Sequence, residues 1–225
     1  MRLIIRWKRP APPDGRSLRL RRLDTLLEQA AQSGYYSRQQ RPLPECAPSE
    51  DAFLLQCLES IPPLEMDDFL RYPAQFYNWA HPLRPARPIE CPLRNLGRTA
   101  VLATGFAEQE SIRQFAYQYW DELEDYEPES LAGPVHKLMQ LADAAIEGRF
   151  RLPSLRTAVI AFTGLKHGCL QQHERDRLWR AFQIPTFEQF RGFTQELLAW
   201  ECEAHDGLHI HEENAIFETA SREKE

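Results

Sequence analysis

No stretch of this sequence holds the ~20 consecutive apolar residues that a membrane-spanning helix needs, so no helical span and no membrane partner are expected. The start, Met1–Lys8, has too short an apolar stretch for a secretory leader. Cysteine is sparse, five residues scattered through 225 with no Cys-x-x-Cys pair. That leads us to expect a reducing cytoplasm and free, buried thiols. Glycine-rich runs are missing too: around the Pro-rich interval Asn78–Arg94 the glycines are Gly97 and Gly105, well separated. A loop that cradles phosphates needs clustered glycines, whose main-chain N–H groups approach anionic oxygens with no Cβ in the way. No Ser/His/Asp or Cys/His nucleophile pattern stands out.

What is present is ordinary in bulk and uneven in layout. Hydrophobic residues make up 43% and charged ones 27%, values of a soluble globular chain long enough for one sizeable core or two small ones. The 17 prolines crowd before residue 100, so that part should be rich in loops. The net charge is −6, yet Met1–Arg22 alone carries +7 and the remainder −13. A basic arm on an acidic body can touch nucleic acid. No aromatic residue interleaves the arginines of Arg16–Arg22, as a single-strand binder requires. We therefore expect a solvated helix face resting on the chain's own acidic side, and no nucleic-acid partner.

Taken in order, Met1–Arg9 reads as a short strand or an arm and Pro10–Gly15 as a turn-rich linker. Ser17 can cap a helix through Leu18, Leu20, Leu23, Leu26 and Leu27 to about Gln32, stopped by Gly34. Glu50–Glu59 is a short amphipathic helix with Phe53, Leu54, Cys57 and Leu58 inward. Asn78–Arg94, with Pro82, Pro85, Pro88 and Pro92, reads as extended, because residues before proline avoid the helical region. Thr99–Thr104 is a strand. Glu108–Asp125 has Ile112, Phe115, Ala116, Tyr119 and Leu123 at helical spacing. After a break at Pro128, Ala132–Ile146 is a second such helix, with Leu138, Leu141, Ala142 and Ala145 inward.

Thr157–Phe162 is a short apolar run closed by Thr163–Gly164, a buried-strand signal. Gln171–Phe182 is a helix with Leu178, Trp179 and Phe182 inward, and Ile184–Phe190 a further strand. Strand, crossover helix and strand form a βαβ unit, which demands a parallel sheet covered on both faces. Trp200–Ile216, alternating through Leu208-His209-Ile210-His211, looks like a β-hairpin arm. The expected fold is α/β: a parallel or mixed sheet with flanking helices, an N-terminal helical and Pro-rich region over 1–95, and a core with its β-arm over 96–225. The two should form one cooperative domain.

Several segments resemble a known family. Ala199–Ile210 (AWECEAHDGLHI), the strand and turn Leu155–Gly164, the Leu-Ala-Gly-Pro run beginning at Leu131, Tyr35-Tyr36-Ser37-Arg38 and Ile61–Phe69 are similar to elements of the phenylacetate–CoA ligases, within the adenylate-forming superfamily. The resemblance implies part of the large N-terminal domain of such ligases. It also implies that the helix after Leu131 lies over the acyl pocket.

It further implies that the family's Tyr-Gly-x-x-Glu signature falls at Phe190, Arg191, Gly192, Phe193 and Thr194. There Thr194 replaces the Mg²⁺-binding Glu, although Glu196 stands two residues on. A hydroxyl is a poor substitute for a carboxylate on a hard cation. Thr163 and Gly164 are what remains of a cofactor-binding turn. The adenine-side Glu is replaced around Leu165-Lys166, and Met66 stands near a usual Lys.

The expected function is thus a shortened, catalytically degenerate relative that binds or forms complexes, as a homo-oligomer or with a protein partner, and takes no ATP, Mg²⁺ or CoA. One alternative is a partial adenylating subunit completed by another chain, with ATP, Mg²⁺ and CoA restored. Another is a small-molecule acid sensor. Phe190 and Phe193 are expected to fill the former nucleotide cleft.

A second constellation comprises Cys202, His205, Asp206, His209, His211 and Glu212. His209 and His211 alternate onto one strand face, where two imidazoles can share a metal; the favoured reading is a surface His-x-His without metal. His167 and His173 flank the crossover helix. A general base there needs an orienting carboxylate, and Glu174 is adjacent in sequence rather than opposed. Cys169 precedes the same helix, a place that can activate a thiol, but a buried structural role is expected.

Overall fold

The computed structural model describes residues 18–36, 66–72, 96–106, 109–115, 120–164, 167–192 and 195–211, and single positions 49, 52, 53, 56, 57, 59, 75 and 217. The expectations for 1–15, 42–48 and 78–94, for Leu54, Leu58, Ala116 and Tyr119, and for Leu165, Lys166, Phe193, Thr194 and Glu212 lie outside these residues. Two compact units divide the chain, Trp7–Leu83 and Arg84–Glu225, the latter with Met1–Arg6.

In the first unit, α1 (Leu18–Ala31) ends where Ser33 turns its hydroxyl back to donate to the Ala30 carbonyl and accepts from the Tyr36 N–H. Leu23 and Cys57 are buried, with Leu20, Leu27 and Phe53 packed on them. A second helix, α2 (Met66–Arg71), is tied back through Asp68, which accepts from the Tyr35 hydroxyl at 3.3 Å.

The second unit is a seven-stranded sheet in the order β2-β1-β3-β4-β5-β6-β7. Its strands are β1 (Thr99–Val101), β2 (Ile112–Gln114), β3 (Ser130–Pro134), β4 (Ala158–Thr163), β5 (Thr186–Arg191), β6 (Leu197–Glu201) and β7 (Leu208–Ile210). The first five are parallel; β6 and β7 turn antiparallel. Every residue of β3 and β4 is buried, as parallel central strands covered on both faces must be. Alternate residues serve two cores. Ala100, Leu131, Val159 and Ala161 join the one supplied by the helices, and Val101, Ala132, Ile160 and Phe162 the other. Three helices accompany the sheet: α3 (Trp120–Tyr126), α4 (Val135–Ile146) and α5 (Gln172–Phe182). The last opens with a reciprocal capping box between Gln171 and Glu174 and ends at Gln183 in the left-handed region. An Arg177–Asp143 ion pair joins α5 to α4.

The α/β class, the helices over 135–146 and 172–182 and the strands around them stand as expected. Other elements differ. The helix expected over 108–125 is instead an edge strand, β2, followed by the short α3. Ile112 enters one core and Phe115 the other, a placement that a strand provides and a helix does not. The helix expected from Ala132 begins at Val135, because Pro134 holds φ −58° and ψ 140° and the residues before it complete β3. Ala144 rather than Ala145 is buried on α4. Trp179, expected inward, is 53% exposed, and Cys169, expected buried, is exposed. The expected C-terminal hairpin is present as the antiparallel pair β6–β7, and β6 joins it to the sheet by pairing with β5.

Candidate functional site

Open α/β sheets place ligands beyond the carboxyl ends of their parallel strands, and here the ends of β4 and β5 meet the residues singled out by the resemblance. Thr163 closes β4 with its hydroxyl donating to Glu188 Oε1 at 2.7 Å. Gly164 follows at φ +129°, and a Cβ there would stand 2.1 Å from the Arg191 carbonyl oxygen. This pair therefore serves the β4–β5 junction. A tight loop follows, with Gly164 and Gly168 exchanging two 2.8 Å hydrogen bonds.

At the end of β5 the side chains sort unexpectedly. Phe190 is half-buried, its ring 6.1 Å from that of Phe217. Arg191 is the fully buried residue, 1% exposed. Its guanidinium lies 4.4 Å from the Phe162 ring centroid and 5.0 Å from that of Phe106. It donates to the Gln195 carbonyl at 2.6 Å and to Gln189 Oε1 at 2.5 Å. The register shift between Phe190 and Arg191 aims it there. The turn is closed by Gly192 N–H donating to the Glu196 carbonyl, with Gln195 at φ +69°. The Glu196 carboxylate lies on Gly192, where a Cβ would come within 2.8 and 2.9 Å of its oxygens.

Gln195 reaches the neighbouring loop, its Nε2 3.1 Å from His167 Nε2. The His136 ring stands 6.4 Å from that of His167. Burial, and next the charge of Lys137, hold His136 below the usual histidine range. His173 stays exposed in the first turn of α5, while Glu174 accepts from the Gln171 N–H as part of the cap. Among the described residues, Glu174 is thus engaged in the cap and does not orient His173 as a base.

The second constellation separates into two. Glu201, only 6% exposed at its side chain, accepts from Arg175 Nη1 at 3.0 Å, from the Glu188 N–H at 2.8 Å and from His205 Nδ1 at 2.9 Å. His205 also stacks on Phe187 at 5.1 Å. Arg175 and Glu188 were missed in the sequence; a lone Arg on a polar helix face gives no sign that it spans to two strands. His209 and His211 do share a face, but both rings pack on Trp200, at 5.6 and 5.9 Å. Cys202 is half-buried and Asp206 exposed. Among the described residues, no group of three His, Cys, Asp or Glu side chains is disposed to hold a metal ion.

Among the described residues of this edge, the Arg191 guanidinium donates to its own hairpin and Glu196 lies against Gly192, while Gln195 Oε1 is buried with no hydrogen-bond partner.

No protein-family model and no curated protein matches the chain. Among solved structures it is similar to an open conformation of 2-hydroxyisobutyryl-CoA ligase in complex with 2-HIB-AMP and CoA. The two share 14% identity at a TM-score of 0.38, over 50% of this chain. The alignment spans 31% of that ligase's length.

Proposed function

We propose that the chain is a non-adenylating relative of the phenylacetate–CoA ligases that works by binding, in a complex with a second copy of itself or with a protein partner. The observation that carries this reading is the buried Arg191 guanidinium. An adenylating turn must present an aromatic ring and a carboxylate to a nucleotide and its cation. Here the second position of that turn packs its guanidinium against the stacked Phe106 and Phe162 rings and is hydrogen-bonded to its own hairpin. Stacking a guanidinium on aromatic faces is favourable only while it stays there. The turn is therefore committed to the core, and the Thr163–Gly164 turn is committed to β5.

Calorimetric titration with MgATP should give no binding heat, and pyrophosphate exchange with aryl acids no signal. A micromolar dissociation constant would overturn the reading in favour of a working or partner-completed ligase. Light scattering and pull-down from the native host address the other half. A strict monomer with no recovered partner contradicts the complex.

A further inference from the structure

The outer hairpin β6–β7 is fixed to the sheet unevenly. It pairs with β5 from Arg191–Leu197 to Gln189–Trp200, across the register shift after Phe190. Where the chain enters it, Gly192 N–H donates to the Glu196 carbonyl at 2.9 Å, and the buried Arg191 holds the Gln195 carbonyl. That end is tied into the core. Along the hairpin itself burial is thin. Leu197, Ala199 and Glu201 are buried, the residues between them are half-buried, and so is all of β7. By contrast, β3 and β4 are buried at every residue. Segments that bury little apolar surface open locally at a lower cost than the core that carries them.

At the far end a single carboxylate makes the attachment. Glu201 takes the next register position beyond Gln189–Trp200, opposite Glu188. Its Oε2 accepts from the Glu188 N–H at 2.8 Å and from Arg175 Nη1 at 3.0 Å. Its Oε1 accepts from His205 Nδ1, in the β6–β7 turn, at 2.9 Å. Arg175 is itself anchored, donating to the Thr186 carbonyl at 3.2 Å and to Glu188 Oε2 at 3.3 Å. Thr163 holds the other Glu188 oxygen. The fixed side of this contact is thus built by β4, β5 and α5, and the hairpin meets it with one buried side chain. We infer that β6–β7 is a flap that opens separately, pivoting after Arg191 and latched by Glu201. Opening uncovers the hydrogen-bonding edge of β5 while the parallel strands stay paired. An uncovered edge is a template for another strand, so the latch governs whether β5 is offered to one. The inference goes beyond the proposed complex and does not depend on it.

The test is amide hydrogen exchange of the full chain at one pH, read by mass spectrometry, which reports slow local opening. In the parent, the amides of 197–201 and 208–210 should exchange together, about tenfold or more faster than those of β3 and β4. Their exchange should also depend less on urea, since a flap exposes less surface than unfolding does. Glu201→Gln keeps the shape and removes the charge. It should speed the hairpin roughly tenfold further, as the loss of a hydrogen bond to a charged group does, and leave β3 and β4 unchanged. Arg175→Gln, which removes the partner cation from α5, should act in the same direction on the same amides. Three results would overturn the inference: the hairpin exchanging at the rate and urea dependence of β3 and β4, Glu201→Gln speeding the whole sheet equally, or either variant leaving the hairpin as it is in the parent.

Discussion

Arg191 is the residue on which the signature turn hinges, and its neighbours explain why an arginine can be buried there. A guanidinium is planar and weakly hydrated, so two aromatic faces and two oxygen acceptors replace much of its water. Arg191→Ala leaves a cavity beside the stacked Phe106 and Phe162 rings and strands the acceptors. Removing one partner of a buried charged contact typically costs about 3–5 kcal/mol, and a urea melt should register that loss with an unchanged m-value. Arg191→Lys should recover only part of it, because an ammonium neither stacks flat nor forks. None of this is visible in Phe-Arg-Gly-Phe as a string, which reads as a polar turn between aromatics. The register shift after Phe190 is what sends the charge inward and leaves the phenylalanine half out.

Among the elements, β4, α5 and β5 were legible because each carries its own signal: a short apolar run, apolar residues at helical spacing, and a strand started after proline. The central strand β3 was not. Its five residues, Ser-Leu-Ala-Gly-Pro, end in two breakers, and breakers at that spacing read as a helix boundary. The glycine has a different purpose, since a Cβ on Gly133 would meet the Leu102 Cβ at 2.8 Å. Close passage of the chain after β1 thus requires it. Gly133→Ala should cost about 1–3 kcal/mol as overpacking, read as a lowered thermal midpoint. If the melt is unchanged, Leu102 yields freely and the glycine serves another end. The edge strand β2 was hidden for a related reason: three residues hold too little pattern to defeat a helical reading, and pairing to β1 decided the matter.

For the whole molecule, composition and the strand and helix patterns indicated the α/β class. They held no information on strand order. In that order β1 sits between β2 and β3, so the sheet cannot form from neighbours in sequence alone. Parallel pairing of this kind requires loop closure before contacts repay it, and refolding should fall in the millisecond-to-second range. Stopped-flow fluorescence checks this, and complete refolding within microseconds would contradict it. The outer hairpin adds a property of another sort. Trp200 carries the His209 and His211 rings beside its indole, whereas Trp120 packs on Phe150 and Trp179 stands largely in solvent. An indole held against two rings reports by its emission whether those rings stay in place. Trp200 therefore gives the sheet's edge its own optical gauge of whether the outer strand remains docked.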